Sequence, residues 1–294
     1  MSAKPQHASS NHGLAELHIA VLLFGGTALF SKIIPLSAVD ITLFRCVIAA
    51  IALLLLLKLS KQQVSLTSKK DYGVALILGL LVCTHWVTYF AAMQLSTVAI
   101  GMIAFYTYPV MTVLVEPIFT KQRLQLVDVI SGLAVLFGVS LLIPEASLAN
   151  DVTLGIAVGI LSAVLFTARN LLHKQAFSRY SGAKAMFYQT VIAVVILAPW
   201  QQVEFSHVAN STWLLILVLG VFFTAAPHAL FASALRQLQA KTVGLVSCLQ
   251  PCYGAILALL ILNEPLSNST ILGGIIIVAT AVFETLKHQQ KKKA

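Results

Sequence analysis

The sequence predicts an all-α membrane protein with ten transmembrane helices, arranged as two inverted five-helix repeats with both termini in the cytoplasm. Three observations predict this fold: a low charge content, ten long apolar runs, and cations that occur in every second loop. Charged residues make up 10% of the 294 residues, against about 25% in soluble domains. So few polar side chains cannot cover a water-exposed surface, and we therefore expect lipid to surround the chain.

The apolar runs have the length that a bilayer requires. A spanning helix needs about 20 largely apolar residues, and a helix satisfies its own backbone polar groups in lipid. The ten runs cover residues 16–35, 39–57, 72–94, 97–119, 125–143, 152–174, 184–200, 212–235, 242–262 and 270–286. Residues 1–15 form a polar cytoplasmic tail without a convincing signal-peptide cleavage site, so we expect the first run to be a retained span. Residues 288–294 form a basic cytoplasmic tail.

The loops differ in charge on the two sides of the predicted membrane. With the amino terminus placed inside, 16 of the 19 Lys and Arg residues fall on that side. Cytoplasmic loops retain Lys and Arg, so the pattern predicts cytoplasmic termini in the inner (plasma) membrane of a bacterium. The cations are spread over short loops, which argues against nucleic-acid binding despite the net charge of +9. Three cations do not follow the pattern: Lys32, Arg45 and Arg169.

The two halves of the chain resemble each other weakly when one is shifted by 142 residues. The matched positions include Phe24 with Phe166, Tyr108-Pro109 with Gln250-Pro251, and Gly132 with Gly274. We therefore predict a first repeat over residues 16–148 and a second over residues 149–287. Each repeat holds five spans, an odd number, so the two copies have opposite orientations in the bilayer. Inverted repeats of this kind are typical of secondary carriers.

Four segments of the chain resemble a known family. They are "FGGTALFSKIIP" (24–35), "LFRCVIAAIALLLL" (43–56), "AAMQLSTVAIGMIAFYTYPV" (91–110) and "LLILNEPLSNSTILGGIIIVA" (259–279). Their pattern looks like that of the EamA-type carriers of the drug/metabolite transporter superfamily, over residues 16–287. The resemblance implies a ten-helix bundle and export of amino acids or related metabolites. The first half departs from the family pattern, because Gln122 and Arg123 stand where the family usually has a Glu and its neighbour. Glu116, six residues before Gln122, is the alternative candidate for the role of that Glu.

Ionisable groups inside spans are costly, so each one is a functional hypothesis. Arg45 lies about two helical turns into the second span, where it can hold a substrate carboxylate by two hydrogen bonds. Structural pairing with backbone carbonyls or an acid is the alternative. Lys32 either snorkels to the headgroups or acts as a gate charge with Asp40 as its partner. For Arg169, two roles are open: its side chain can snorkel to the headgroups, or it can line the substrate pathway.

The third span contains "CTHWVTYF" (83–90), in which His85 and Tyr89 share one face and Trp86 flanks them. Near mid-membrane this group can bind substrate, and an imidazole can take part in proton coupling. A neutral His that bridges helices is the structural alternative. His228 in the eighth span and Glu116 are the other candidates for a proton relay.

Pro109 and Pro251 occupy corresponding positions in the two repeats, and each removes a backbone hydrogen bond and can kink its helix. Paired broken helices are the best sequence indication of a carrier's central site. We therefore predict that these prolines are hinges and that Lys32 and Asp40 form a gate. The predicted substrate-binding residues are Arg45, His85, Trp86, Tyr89, Tyr106, Tyr108, Phe166, Asn170, His228 and Gln250.

These features predict a secondary carrier that moves a small amino-acid-like metabolite by alternating access. The alternatives are an importer or exchanger of a nucleotide-like or S-adenosyl metabolite, and an intramembrane lipid-modifying enzyme. The sequence contains no phosphate loop, CxxC, HExxH or Gly-x-Ser-x-Gly motif, so we expect no enzyme activity, cofactor or metal. Cys248 and Cys252 share a helix face without a nearby His or carboxylate, which favours packing. The expected partners are the small-molecule substrate and the bilayer; a coupling proton and the choice between monomer and homodimer stay open.

Overall fold

The computed structural model describes residues 6–120, 125–142, 150–237 and 246–290. Within these ranges the chain is helical and contains no β-strand, which confirms the predicted all-α class. Gln122 and Arg123, which the family comparison singled out, lie outside the described residues, as does the side chain of Glu116.

The helices follow one another with short connections. They are α1 (Gln6–Thr27), α2 (Phe30–Ile33), α3 (Ala38–Leu59), α4 (Lys69–Leu95), α5 (Val98–Phe105), α6 (Tyr108–Thr120), α7 (Leu126–Ser140), α8 (Asp151–Ala176), α9 (Gly182–Leu197), α10 (Asn210–Gly220), α11 (Ala226–Gln237), α12 (Gln250–Leu257) and α13 (Asn268–Gln290). A π-helical segment, Val221–Ala225, joins α10 to α11, and a second one, Ala258–Leu262, extends α12. Two 3-10 turns, Ala198–Trp200 and Phe205–His207, lie between α9 and α10.

Six helices in the described chain are long and apolar enough to cross a membrane. They are His12–Ile33, Ala38–Leu59, Lys69–Leu95, Asp151–Ala176, Gly182–Trp200 and Asn210–His228. Shorter apolar helices cover Val98–Thr112, Leu126–Ser140, Gln250–Leu262 and Asn268–Phe283, where the sequence predicts the other four spans. The helical membrane class is therefore confirmed, while the count of ten crossings stays a prediction.

Prolines interrupt the regular helices at three places. α5 ends at Phe105, four residues before Pro109, as expected because a proline ring clashes with the carbonyl four positions earlier. Pro251 lies in the first turn of α12 and cannot donate to the carbonyl of Ser247; the hydroxyl of Tyr106 donates to that carbonyl instead. Pro227 lies at the start of α11, directly after the π-helical segment; nearby, the hydroxyl of Thr27 lies 3.0 Å from the carbonyl of Phe223 and 3.0 Å from the carbonyl of Leu23 in its own helix.

The contacts between helices occur in matched pairs. If α1, α3, α4, α6 and α7 are exchanged with α8, α9, α10–α11, α12 and α13, the main contacts among these helices have a counterpart or map onto themselves. The matched contacts are α1 on α11 with α4 on α8, α1 on α12 with α6 on α8, and α4 on α9 with α3 on α10. The contacts that map onto themselves are α3 on α9 and α7 on α13.

At one end of the bundle, the loop between α3 and α4 is bonded to the loop between α8 and α9. The buried carboxylate of Asp71 accepts hydrogen bonds from the guanidinium of Arg179 and, at 2.6 Å, from the hydroxyl of Tyr180. The same hydroxyl accepts from the backbone N–H of Thr67 at 2.8 Å. We call Thr67, Asp71, Arg179 and Tyr180 the Asp71 cluster.

The other end of the bundle has its own bonds between distant segments. The carboxylate of Asp40 accepts from the backbone N–H of Gln202 at 2.9 Å. The carboxylate of Glu264 accepts from the N–H of Val98 at 2.9 Å, which caps the start of α5. The loops predicted to be cytoplasmic therefore meet at the Asp71 cluster. The loops predicted to lie on the opposite side meet at the end that contains Asp40 and Glu264.

Candidate substrate-binding cavity

A cavity of about 410 Å³ lies between α1, α3, α4, the α5–α6 break, α8, α9, α11 and α12. This volume lies within the range of small-molecule sites, about 300–1,000 Å³. The wall is mostly apolar and aromatic, with a few polar and two cationic side chains. It is lined by Phe24, Thr27, Arg45, Val82, His85, Trp86, Tyr89, Phe105, Tyr108, Phe166, Arg169, Asn170, Met186, Phe223, Thr224, His228, Phe231, Ser247 and Gln250.

Arg45 is the most unusual group in this wall. Its side chain is 2% exposed, and its guanidinium carbon lies 4.3 Å from the ring centroid of Trp86 and 4.8 Å from that of Phe90. The two rings stabilise the cation through their π faces. Its Nε and Nη2 atoms have no hydrogen-bond partner among the described residues. These two atoms form one edge of the guanidinium, which is the edge that can bind both oxygens of a carboxylate.

The ring of His85 is held against α8. Oγ of Ser162 lies 2.7 Å from Nδ1 of His85 and 3.0 Å from the carbonyl oxygen of the same residue. These two contacts fix the position of the ring. The ring stacks on Phe105 at 5.2 Å and lies 4.8 Å from Phe166.

His228 is held in one tautomer. Its Nδ1 lies 2.6 Å from the carbonyl of Thr224, which can only accept, so Nδ1 donates and Nε2 is an acceptor. The ring meets Phe24 edge to face at 4.9 Å. The cavity therefore has an imidazole acceptor at Nε2 of His228.

Arg169 is the second cation in the wall. Its Nε donates to Oε1 of Gln189 at 2.9 Å, its Nη1 to Oδ1 of Asn170 at 3.0 Å, and its Nη2 lies 3.4 Å from the sulfur of Met186. Of the two interpretations that the sequence left open, the structure places Arg169 in the cavity wall. These neighbours orient the side chain without neutralising its charge.

An aromatic face adjoins the cations. Phe105 stacks on Tyr108 at 5.2 Å, and Tyr108 meets Phe166 edge to face at 4.9 Å. Tyr89 lies 5.2 Å from Phe105 in the same arrangement. Rings packed at these distances and angles stabilise one another and give the wall a fixed shape.

Most of the predicted substrate-binding residues meet in this cavity. Those that line it are Arg45, His85, Trp86, Tyr89, Tyr108, Phe166, Asn170, His228 and Gln250. Tyr106, also predicted to bind substrate, is fully buried outside the lining and donates to the backbone of Ser247. Its hydroxyl donates to a carbonyl that Pro251 leaves without a donor in another helix. The residues next to Tyr106 in the sequence do not reveal this bond.

The predicted gate residues lie at one end of the bundle, and each is bonded to other groups. Lys32 donates to the carbonyls of Gln94, at 3.2 Å, and Ser96, at 2.8 Å, at the end of α4. Asp40 accepts from Ser37 and Gln202. The role of Lys32 and Asp40 as a gate stays a prediction. Pro109 and Pro251, the predicted hinges, lie at the starts of α6 and α12.

Several wall residues were not predicted from the sequence. Phe24, Thr27, Met186, Phe223 and Thr224 are uncharged side chains within apolar runs, and no local pattern separates them from lipid-facing neighbours. Arg169 did stand out in the sequence, because it is one of the three cations that do not lie on the predicted cytoplasmic side.

The fold defines a multi-pass helical membrane protein with a cavity between its helices. The model of the EamA-like transporter family matches residues 13–143 and, a second time, residues 153–285. The chain therefore belongs to the EamA-like transporter family, as the resemblance predicted.

Relatives in other organisms match nearly the whole chain. An uncharacterized transporter, YxxF, of Bacillus subtilis (strain 168) is 24% identical and aligns over 99% of this chain and 96% of its own length. An uncharacterized transporter of Archaeoglobus fulgidus is 23% identical over 91% and 94%. The pseudopaline exporter CntI of Pseudomonas aeruginosa (strain UCBPP-PA14) is 24% identical over 84% and 86%. One solved crystal structure shares the fold, with a TM-score of 0.65 at 17% identity over 95% of this chain and 98% of that one.

Proposed function

We propose that this protein is a secondary active transporter that carries a small amino-acid-like metabolite across the bacterial inner membrane by alternating access, in the direction of export. The observation that carries the proposal is the free Nε–Nη2 edge of Arg45, buried in the cavity wall. A buried guanidinium without a polar partner is costly, and a substrate carboxylate supplies both missing acceptors. The export direction is supported by the relative in P. aeruginosa that is named an exporter.

Two observations support the inverted repeats, here assigned to residues 16–148 and 149–287 with both termini in the cytoplasm. The family model matches the chain twice, and the two matches are consecutive and similar in length. The helix contacts keep their pattern when the two halves are exchanged. Two related halves of opposite orientation give a carrier two equivalent states, each open to one side.

Alternating access requires contacts between the halves at both ends that form and break in turn. The Asp71 cluster joins the two halves at one end, and the bond from Val98 to Glu264 joins them at the other. In our mechanism, the cation of Arg45 holds the substrate while these end contacts exchange. The helix breaks before Pro109 and Pro251 lie next to the cavity and are the hinges. A coupling proton would bind at the imidazole of His85 or at Nε2 of His228.

The test is transport by purified protein in liposomes, with a panel of labelled amino acids and with or without a pH gradient. We expect Arg45→Gln to weaken substrate binding about 10–100-fold, because hydrogen bonds to charged groups contribute about 1.5–3 kcal/mol. Arg45→Lys keeps the charge but loses the two-pronged geometry, so we expect it to recover only part of the loss.

The control is Lys58→Gln, which removes an exposed cation from the last turn of α3 and leaves the cavity intact. Unchanged transport by folded Arg45→Gln would exclude Arg45 as the anchor. If the folded wild-type protein moves no member of the panel, the proposed substrate class is wrong.

A nucleotide-like or S-adenosyl metabolite is the second candidate. The stacked rings of His85, Phe105 and Tyr108 favour it, because they offer a planar surface on which a base can stack. Labelled nucleosides and nucleotides in the same flux assay separate the two candidates.

A further inference from the structure

The charge of the cavity wall is strongly unbalanced. Arg45 and Arg169 both line it, and no Asp or Glu occurs among the described lining residues. Buried charges are normally paired, because an unpaired charge in a low-dielectric site costs several kcal/mol. Among the described lining residues, this cavity therefore has two buried cations and no counter-charge.

The two guanidiniums are held differently, and both have donors left for a ligand. Arg45 is held by ring faces, so its Nε and Nη2 edge is free. A guanidinium has five N–H donors, and the contacts of Arg169 to Gln189, Asn170 and Met186 use one from each nitrogen. Two donors of Arg169, one on Nη1 and one on Nη2, are left for a second acidic group.

The cations also come from different parts of the bundle. Arg45 projects from α3 onto the rings of Trp86 and Phe90 in α4. Arg169 projects from α8 and is fastened to Gln189 and Met186 in α9. A single carboxylate has enough acceptor sites for one bidentate guanidinium plus a second donor, but an amino acid with one carboxylate and one ammonium has no net charge and would leave both positive charges of the wall unbalanced. A second carboxylate gives the amino acid a net charge of −1 and supplies one acidic group for each guanidinium.

We propose, resting on the function proposed above, that the substrate carries two carboxylates, one held by Arg45 and one by Arg169. The wall also contains an acceptor for an amino group, since Nε2 of His228 cannot donate while Nδ1 carries the proton. The substrate class that satisfies both features is a small acidic amino acid or a conjugate built on one. Arg169 is then the residue that determines the preference for a second acidic group.

The experiment compares substrates that differ in one carboxylate only. Aspartate with asparagine and glutamate with glutamine are pairs of nearly equal size, so their transport ratio isolates the second acid. For the intact protein in liposomes we expect each acid to be preferred by about tenfold or more, the effect of losing one charge-assisted hydrogen bond or pair.

The variants separate a substrate contact from a merely structural role. We expect Arg169→Gln to bring the acid-to-amide ratio close to one while amide transport continues, and Arg169→Lys to keep part of the preference. Arg45→Gln should lower transport of both members of each pair. Lys58→Gln, which removes one charge outside the cavity, should leave every ratio unchanged.

Each other outcome decides against one of the proposals. Equal transport of acids and amides by the wild type would refute the two-carboxylate substrate while the amino-acid carrier stands. An Arg169→Gln variant that keeps the full acid-to-amide transport ratio would show that Arg169 does not bind the second carboxylate. Preferred transport of a nucleotide such as AMP would overturn the dicarboxylate assignment, and no amino-acid flux from folded protein would overturn both proposals.

Discussion

A hydroxyl side chain from a distant helix satisfies a carbonyl group that a proline leaves free. Pro251 cannot donate to Ser247, and Tyr106 donates to that carbonyl. In lipid there is no water to replace a missing donor, so this bond stabilises the kinked helix. The hydroxyl could not be assigned this role from the sequence, because Tyr106 and Pro251 are more than a hundred residues apart.

We expect Tyr106→Phe to lower the free energy of unfolding by about 1–3 kcal/mol, the cost of leaving a buried carbonyl without a donor. The measurement is denaturation of the purified protein in mild detergent. The control is the same change in a Pro251→Ala background, where the restored N–H of residue 251 can donate to Ser247. The expected loss from Tyr106→Phe is smaller there, and an equal loss in both backgrounds would refute this assignment.

At the scale of helices, close packing depends on small residues at particular contacts. A Cβ added to Gly155 in α8 would lie 2.9 Å from the carbonyl oxygen of Ala92 and 2.9 Å from Cβ of Ser96 in the α4 segment. Backbone atoms cannot move aside as a flexible side chain can. Small residues within apolar runs allow close contact between membrane helices, but the sequence could not indicate which helices the glycines join.

Two glycine substitutions test this packing against a matched control. We expect Gly155→Ala to destabilise the protein by about 1–3 kcal/mol through overpacking. Gly73 lies near the start of α4, and a Cβ added there meets nothing within 4 Å. Gly73→Ala should be neutral or stabilise by up to about 1 kcal/mol, because alanine favours helix. Thermal unfolding in detergent measures both, and equal effects would contradict the packing explanation.

At the scale of the whole molecule, the two ends of the bundle have distinct loops. Gln63 is exposed between α3 and α4, and Ser206 is exposed between α9 and α10. The predicted orientation places these residues on the cytoplasmic and the outer side. Of the four cysteines, Cys46, Cys83 and Cys248 are buried and Cys252 is exposed, so a Cys252→Ala background reduces unwanted labelling.

In that background, a membrane-impermeant maleimide should label Ser206→Cys in spheroplasts with an intact membrane. It should label Gln63→Cys only after the membrane is permeabilised, because the predicted orientation places that loop in the cytoplasm. The control is labelling of both variants in detergent, where each thiol is reachable. The reverse pattern would invert the topology, and labelling of both in intact spheroplasts would place the two loops on one side.

The sequence by itself was enough to predict that lipid surrounds the chain and that its two halves are repeats. Apolar runs of bilayer length and cations confined to alternate loops are local features, and each follows from the cost of placing polar groups in lipid. Arg45, His85 and Trp86 could be predicted as site residues for the same reason, since polar groups inside such runs stand out.

Only the tertiary structure decided which side chains meet. It placed Arg169 beside Gln189 and Met186, bonded the hydroxyl of Tyr106 to the backbone of another helix, and bonded Lys32 to the end of α4 and Asp40 to Gln202. These outcomes depend on how far helices rotate and how closely they pack. Contacts between residues far apart in the chain set that geometry, and the pattern within a single run does not record it.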